Sequence, residues 1–352
     1  MDAFYASVEL LRYPELAGQP VVIGGRTRAP ERDDDGHWRF PRLKTYAGRG
    51  VITTSTYPAR ALGVHSGMGL MKAAALAPEA VLLPVDFDAY RRMSRRFKEA
   101  VLTVVPQFED RGIDEIYLDL SGLPGIAEDN GRRAAQQLKA AVRAATDLTC
   151  SVAVAPNKLL AKIGSDLDKP DGLTLLAMDD VPGRIWPLPV RRINGIGPKA
   201  AERLQAMGIH TIGELAGFDP ASLVERFGPS TGLWMHEAAH GRDERLLVME
   251  RDPKSISRET TFARDLHAVR DRAELGALLD DLCRRLADDL QRKGLRARGV
   301  GIKLRYDDFR IVTRDMRVGA PTQEAADLRR ACGQCLRRCL LYTSDAADDL
   351  TR

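Results

Sequence analysis

The chain contains no run of apolar residues long enough to cross a membrane, and its first residues lack the basic and apolar regions of a secretory signal. Both absences predict a cytoplasmic protein with no membrane partner. Cysteine is scarce, and the odd set of five, crowded toward the carboxyl end, favours reduced thiols over a disulfide framework. The Cys332 and Cys335 pair has no second Cys-x-x-Cys, so a zinc ribbon is not expected.

The composition indicates a multi-domain protein with one basic module. A length of 352 residues with 44% hydrophobic content is enough for two or more cores. Residues 254–338 hold 20 Lys and Arg against 13 Asp and Glu, whereas the rest of the chain holds 33 against 36. Surplus positive charge in one module is typical of a polyanion partner, although a solvated basic face gives the same count.

The pattern of helices and strands divides the chain further. Strand and helix patterns alternate from 85 to about 176, which predicts an α/β or α+β layer. From about 185, short helical patterns separated by Gly and Pro predict a small helical domain. The polar and charged segment 26–50 is predicted to be an exposed loop.

The basic module predicts a sheet covered by a helix. "ERDPKSISRETTF", residues 250–262, predicts a strand, and leucines at spacings of four and three within 274–292 form one face of a helix. In "GVGIKLRYDD", apolar residues alternate with Lys303 and Arg305. A sheet with an apolar back would therefore have a largely basic front, which suits a nucleic-acid backbone.

Two adjacent acids form the first candidate site. "GIDEIYLDL" places Asp114 and Glu115 between strand-forming residues. On a straight strand they would point to opposite faces, so both reach one site only at a turn or bulge, such as a hairpin tip. Close carboxylates repel one another unless a divalent cation bridges them, which favours Mg²⁺ with substrate phosphates. A solvated acidic turn is the alternative.

Three other motifs suit phosphates. In "STYPARALGV", Tyr57 and Arg60 lie three apart at the start of a predicted helix, and a guanidinium offers phosphate a planar fork of donors. Lys169 follows another predicted helix, before a proline. "NGIGPKAAERL" places Gly195 and Gly197 before a helix amino terminus, which resembles a helix-hairpin-helix. A dinucleotide-binding loop would need a third glycine and a preceding strand.

The motif "HEAAH", residues 236–240, matches the metalloprotease pattern of two histidines and a glutamate. Gly241 follows at once and predicts a helix end, and no convincing third ligand motif follows. A zinc hydrolase is therefore a remote alternative.

In their order along the chain, these motifs resemble the Y-family DNA polymerases, and closely the bacterial DNA polymerase IV group, from Met1 to about Cys339. The motifs are "MDAFYASVEL", "STYPARALGV", "GIDEIYLDL", "NKLLAKIGSDLDKPDG", "NGIGPKAAERL" and "KSISRETTF". The resemblance implies an α+β multi-domain right hand. Its implied parts are a palm at 1–9 and 85–176, fingers at 10–84, a helical thumb with a helix-hairpin-helix at 177–245, a linker at 246–253, a little finger at 254–340 and a non-family tail at 341–352.

The activity implied by the resemblance is error-prone translesion DNA synthesis. The enzyme would add deoxynucleotides to a primer 3′ end with two Mg²⁺ ions. The implied partners are primer-template DNA, deoxynucleoside triphosphates and a sliding clamp, although a clamp peptide is not seen in the tail; a monomer is expected. A non-catalytic DNA-binding protein is the alternative.

The resemblance also assigns residues. Asp114 and Glu115 match catalytic and metal-binding positions, with the backbone carbonyl of Met1 as a further metal ligand. Tyr5 matches the steric gate, an aromatic ring that collides with a ribose 2′-hydroxyl, and Phe4 lies beside it under the sugar. The implied triphosphate contacts are Thr54, Tyr57, Arg60 and Lys169. The implied DNA contacts are Gly195, Ile196, Gly197, Lys199, Lys254, Ser255, Ser257, Arg258, Thr260, Thr261, Lys303 and Arg305.

One departure concerns the metal site. The family has a further metal-binding Asp immediately before the position that matches Met1, and residues 1–352 do not include it. Asp2 on a continuing strand would face away from that position. We therefore expect these residues to bind nucleotide and DNA with little or no catalysis.

Overall fold

The computed structural model describes residues 1–348 apart from 26, 125 and 251, without the side chains of 127 and 340–348. The predicted tail at 341–352 falls partly outside these residues. The chain forms two compact units, Met1–Arg251 and Asp252–Arg352. No helix in the described part of the chain is long and apolar enough to span a membrane.

The described helices and strands confirm a mixed α and β protein. The helices are α1 Phe4–Arg12, α2 Tyr57–Ala61, α3 Leu70–Leu76, α4 Phe87–Leu102, α5 Ile126–Asp129, α6 Arg132–Thr146, α7 Lys158–Leu167, α8 Pro198–Gln205, α9 Ile212–Ala216, α10 Pro220–Phe227, α11 Pro229–Ala239, α12 Arg272–Arg292 and α13 Ala325–Asp348. The strands are β1 Val21–Gly24, β2 Glu31–Arg32, β3 Trp38–Arg39, β4 Ile52–Ser55, β5 Val81–Leu83, β6 Glu109–Asp110, β7 Ile116–Tyr117, β8 Val152–Val154, β9 Leu173–Leu175, β10 Ala297–Arg305 and β11 Ile311–Thr322.

The first unit contains a small central sheet in the order β4-β1-β5. β1 pairs antiparallel with β4 and parallel with β5, and all four residues of β1 are buried. The parallel pair β8 and β9 is connected by α7, whose apolar side packs into the core of the helical region that follows. Parallel strands need a crossover connection, and α7 is the connection here. The two strands therefore fix the positions of both ends of α7.

The amino-terminal segment is helical rather than extended. Ala3 has a left-handed φ of 41°, and α1 begins at Phe4. The strand that we expected to continue through Asp2 was therefore wrong, because the backbone turns at Ala3. Ala6 and Val8 of α1 are buried in the same core as Val21 of β1, so burial of an apolar face stabilises the helix.

Residues 27–50 contain more regular structure and more buried residues than the exposed loop predicted for 26–50. They contain the antiparallel hairpin of β2 and β3, and Leu43 is fully buried. The rings of Trp38 and Phe40 contact Tyr13 edge-on at centroid distances of 5.2 and 5.3 Å. Because the segment is mostly polar, its composition did not indicate that these few apolar residues would pack against the rest of the protein.

In the second unit, β10 and β11 form an antiparallel pair whose apolar side packs with α12 and α13. The predicted helix and the alternation along β10 are confirmed: Val300 is buried, whereas Lys303 and Arg305 are exposed. The strand predicted within 250–262 was wrong, since residues 252–262, all of them described, form none. Instead, the Arg258 guanidinium bonds to Asp289 of α12 at 2.5 and 2.7 Å, and Ile256 packs on the core.

Candidate active site

A hairpin presents the two predicted acids. β6 and β7 pair antiparallel, and the Arg111 N–H donates to the Glu115 carbonyl at 3.0 Å, which closes the connection. Asp114 and Glu115 lie at the end of this connection, so the predicted turn is confirmed. The terminal ammonium of Met1 donates to the Asp114 carbonyl oxygen at 2.8 Å. The hairpin thus brings three of the predicted metal-site residues together.

Glu115 has a cationic partner that the sequence did not suggest. Lys162 Nζ of α7 lies 2.8 Å from Glu115 Oε2. Burial lowers the pKa of Lys162, but the hydrogen bond and charge of Glu115 outweigh it, so the pKa is raised. Lys162 therefore stays protonated and supplies the positive charge beside this carboxylate.

Tyr5 shares the site with Asp114. Its ring stacks on Tyr90 at a centroid distance of 4.3 Å and meets Phe87 edge-on at 6.0 Å. Burial raises the pKa of the Tyr5 phenol, and the negative charge of Asp114 raises it further. Phe4 is 3% exposed and belongs to the core beneath. These rings form an aromatic floor in which Phe4 and Tyr90 are buried, Tyr5 is half-buried and Phe87 is exposed.

Behind this floor lies a buried polar pair. The Tyr90 hydroxyl donates to Glu9 Oε1 at 2.7 Å, and both residues are buried. Burial raises the Glu9 pKa, while the Tyr90 bond and the charge of Arg12 oppose the rise. Sequence reasoning missed this pair because its partners are 81 positions apart.

Tyr57 and Arg60 form the predicted pair at the start of α2. The guanidinium lies over the Tyr57 ring, 4.8 Å from its centroid, and donates to the Ser55 carbonyl at 3.1 Å. Arg60 also reaches the buried hydroxyl of Thr54 at 3.5 Å. The Tyr57 hydroxyl is buried without a hydrogen-bond partner, and burial raises its pKa. An unpaired buried donor beside a guanidinium suits an anion.

Lys169 lies just beyond α7, where its ammonium pairs with Asp166 at 2.6 Å. Asp166 and Lys162 line an open cleft of about 570 Å³ together with Arg191, Arg192 and other residues of the following segment. The cleft is therefore rich in positive charge.

The Asp2 carboxylate is bonded to residues outside the acidic hairpin. Asp2 is 2% exposed, and its carboxylate accepts from Ser151 Oγ at 2.8 Å and from the Asp171 N–H at 2.9 Å. Both Asp2 carboxylate oxygens therefore bond to residues in or beside the loop that carries Lys169.

A further unforeseen group is the fully buried carboxylate of Glu109. It accepts from Lys158 Nζ at 2.7 Å, Arg111 Nη1 at 3.2 Å and the Val248 N–H at 3.0 Å. Lys158 also donates to the Leu246 carbonyl at 2.7 Å. These bonds tie the predicted linker to β6 and α7, which composition alone does not reveal.

The predicted helix-hairpin-helix has a tightly packed turn. Gly195 has a φ of 119°, and a Cβ there would lie 2.6 Å from the Trp234 ring. Ile196 is buried, so its side chain packs in the core rather than facing a ligand. Gly197 and Lys199 are exposed at the start of α8. Gly195 and Gly197 thus leave backbone at this turn exposed to a ligand.

The predicted DNA contacts of the second unit form two groups. Lys303 and Arg305 project from the exposed face of β10. The residues Lys254, Ser255, Ser257, Thr260 and Thr261 are exposed in the segment without a strand. Arg258 differs because its guanidinium is already bonded to Asp289.

The "HEAAH" motif has the wrong geometry for a zinc hydrolase. Both oxygens of the Glu237 carboxylate bind the Arg242 guanidinium, and His240 Nδ1 lies 2.9 Å from the His236 carbonyl oxygen at the end of α11. Among the described residues, one group of three could hold a metal ion. It consists of Asp33, Asp35 and His37, which lie far before this motif in the sequence.

Comparison with known proteins gives one consistent answer. Sequence profiles match residues 1–166 (impB/mucB/samB family), 179–209 (IMS family HHH motif) and 253–348 (impB/mucB/samB family C-terminal domain). A DNA polymerase IV of Methanoculleus marisnigri is 40% identical over 96% of this chain and 87% of its own length. That of Alkalilimnicola ehrlichii is 38% identical over 94% and 86%.

Solved structures agree on the fold. A chimera of the Y-family DNA polymerases Dbh and Dpo4 matches with a TM-score of 0.80 at 24% identity, over 97% of this chain and 92% of the other. An insertion ternary complex of Dbh DNA polymerase matches with a TM-score of 0.59 at 23% identity, over the same shares. The predicted right-hand polymerase fold is confirmed.

Proposed function

The chain belongs to the impB/mucB/samB family of Y-family DNA polymerases, which makes it a DNA-directed DNA polymerase by family, and we propose that it copies damaged templates. Its substrates would be primer-template DNA and deoxynucleoside triphosphates. The domain limits given by the resemblance, with palm, fingers, thumb, linker and little finger, are part of this proposal.

One observation carries the proposal. The Asp114 carbonyl accepts a hydrogen bond from the terminal ammonium of Met1 at 2.8 Å, although the two residues are 113 positions apart. Burial raises the pKa of the Tyr5 phenol, and the charge of Asp114 raises it further. A carboxylate pair next to an aromatic floor is what nucleotidyl transfer with sugar selection requires.

The donor set fits divalent cations. Asp114 and Glu115 offer hard oxygen ligands, and Lys162 already places a positive charge at Glu115. When bound, two Mg²⁺ ions would neutralise phosphate charge and stabilise the attacking and leaving oxygens. Asp114, Glu115 and the Met1 carbonyl would hold them, with Lys162 giving up its bond.

The remaining side chains bind and orient the nucleotide. Arg60 and Tyr57 donate to the triphosphate oxygens, and Thr54 lies behind Arg60. Lys169 would exchange Asp166 for a phosphate. Tyr5 would exclude a 2′-hydroxyl, and Glu115 would accept the proton of the primer 3′-hydroxyl.

DNA would be held by backbone contacts rather than base contacts. Gly197 and Lys199 offer an exposed helix start, and Lys303 and Arg305 offer charge on an open sheet face. Such contacts suit an enzyme that tolerates altered bases.

The hairpin would provide two carboxylates to the metals. Asp2 would not add a third, because its carboxylate is bonded to Ser151 and Asp171 instead.

Primer extension with Mg²⁺ tests the proposal. Glu115→Gln should lower the rate by about a thousandfold relative to the unchanged chain, because a metal ligand and proton acceptor is lost. Glu128→Gln is the matched control, since this acid is exposed near α6 and pairs with Arg133. Equal extension by Glu115→Gln and the unchanged chain would overturn the proposed site.

A further inference from the structure

Asp2 is a buried carboxylate whose partners all lie beside one loop. Its Oδ2 accepts from the Asp171 N–H at 2.9 Å, and its Oδ1 accepts from Ser151 Oγ at 2.8 Å. The Ser151 hydroxyl oxygen in turn accepts from the Gly172 N–H at 3.2 Å. Asp2 and Ser151 therefore hold the N–H groups of Asp171 and Gly172, two consecutive residues of the loop 168–172 that also carries Lys169.

Lys139 of α6 holds the same loop from another side. Its ammonium donates to the Asp171 carboxylate at 2.6 Å and to the carbonyl oxygens of Asp171 and Cys150 at 2.8 and 2.7 Å. A Cβ on Gly172 would overlap the Asp168 carbonyl oxygen, so the turn admits only glycine without rearrangement. The loop backbone is fixed much more firmly than a surface turn needs.

Lys169 itself is held only by an exchangeable contact. Its ammonium pairs with Asp166 at 2.6 Å, and both side chains are about one-third exposed. Burial raises the pKa of the Tyr57 phenol, and the negative charges of Asp2 and Asp166 raise it further, against the charge of Arg60. Asp2 and the partner of Lys169 thus both act electrostatically on the unpaired Tyr57 hydroxyl.

We propose that Asp2, acting through Ser151 and the loop 168–172, is a positioning residue that sets where Lys169 meets the nucleotide triphosphate. Asp2 touches neither metal nor substrate in this role. The inference rests on the proposed nucleotide site. A buried carboxylate with two directed donors fixes the loop, so the ammonium can bind phosphate without first ordering its backbone.

Asp2→Asn tests this role because asparagine has nearly the same shape as aspartate. Its N–H₂ group would face either the Ser151 hydroxyl or the Asp171 N–H, both of which now donate to the carboxylate, so one of these hydrogen bonds would be lost. We expect about tenfold weaker binding of an α,β-imido deoxynucleoside triphosphate to the complex with primer-template and Mg²⁺. Binding of the deoxynucleoside without phosphates should not change. Asp119→Asn, an exposed acid that caps the Ser121 N–H, is the matched control.

A double-mutant cycle with Lys169→Ala separates the two proposals. If Lys169→Ala leaves triphosphate binding unchanged, the proposed nucleotide site fails. If Lys169→Ala weakens binding but Asp2→Asn does not, or if the two losses multiply, the positioning role is wrong. We expect the double variant to bind like Lys169→Ala alone.

A second variant guards against a folding defect. Lys139→Met removes the hydrogen bonds from Lys139 to the loop without changing Asp2. It should lower the affinity for the triphosphate and leave the affinity for the deoxynucleoside unchanged. Thermal unfolding identifies any variant that does not fold. Equal losses for triphosphate and nucleoside in a folded Lys139→Met protein would contradict control through the loop.

Discussion

The two compact units differ in where the charges that bear on the proposed function lie. In the first unit, Asp2, Glu9 and Glu109 are at most 2% exposed, and each carboxylate has directed hydrogen-bond donors. In the second unit, Lys303 and Arg305 lie on an open sheet face. Buried charges must be paired and are sensitive to single atoms, whereas exposed cations act through their sum and are screened by salt. We therefore propose that the chemistry takes place in the first unit and that the second unit contributes to DNA binding.

The largest change in sugar selectivity should come from the aromatic floor of the first unit. Tyr5→Ala removes the ring proposed to exclude a 2′-hydroxyl, so discrimination against ribonucleotides should fall by on the order of a hundredfold. The measurement compares kcat/KM for deoxyribo- and ribonucleotides in primer extension with Mg²⁺. Tyr5→Phe keeps the ring and should keep the selectivity; unchanged selectivity in Tyr5→Ala would remove the gate from this residue.

The second unit should respond in salt dependence instead. Lys303→Ala combined with Arg305→Ala should weaken primer-template binding for every sequence and reduce the slope of log K against log salt by about 2. Fluorescence anisotropy at several salt concentrations measures both. Arg284→Ala, an exposed cation of α12 paired with Asp281, should change neither. A sequence-dependent loss would mean that the sheet reads bases.

A single hydroxyl should matter in the first unit. Tyr57→Phe removes a donor that is buried without a partner, so triphosphate affinity should fall about fivefold while thermal stability is kept. Tyr306→Phe in the second unit is the converse control, because its hydroxyl donates to the Cys339 carbonyl at 3.3 Å. If Tyr57→Phe changes stability but not affinity, the hydroxyl is not a phosphate donor.

The smallest effect concerns acid stability of the second unit. Hydrogen bonds from the Arg264 guanidinium and the His267 N–H lower the pKa of Asp271 to about 2, from an ordinary value of 3.8. The ionised Asp271 carboxylate therefore stabilises the folded state fully above about pH 4, and this stabilisation is lost as the pH falls toward about 2. Asp271→Asn should flatten the fall of the unfolding temperature across this range. Parallel curves would contradict the assignment.

Local patterns predicted much of this architecture. The acidic turn, the leucine face of α12 and the basic face of β10 depend on spacing alone, and all three are confirmed. The order of the motifs also predicted the family and the fold.

Long-range contacts could not be predicted in the same way. Arg258 looks like a free cation in sequence, but Asp289, 31 positions away, binds it. The helical start of the chain depends on a turn at Ala3 and on packing against β1, so the strand argument for Asp2 failed. Lys162 is an ordinary helix lysine until the hairpin places Glu115 beside it.

The most direct test of the central claim is single-nucleotide addition with Mg²⁺ by the unchanged protein, by Asp114→Asn and by Glu115→Ala. Asp110→Asn is the matched control, because this exposed acid lies on the same hairpin and pairs with Lys98. We expect Asp114→Asn and Glu115→Ala each to lower the rate by about a thousandfold and Asp110→Asn to leave it unchanged. Addition by Asp114→Asn or Glu115→Ala at the rate of the unchanged protein would contradict a metal centre built on Asp114 and Glu115.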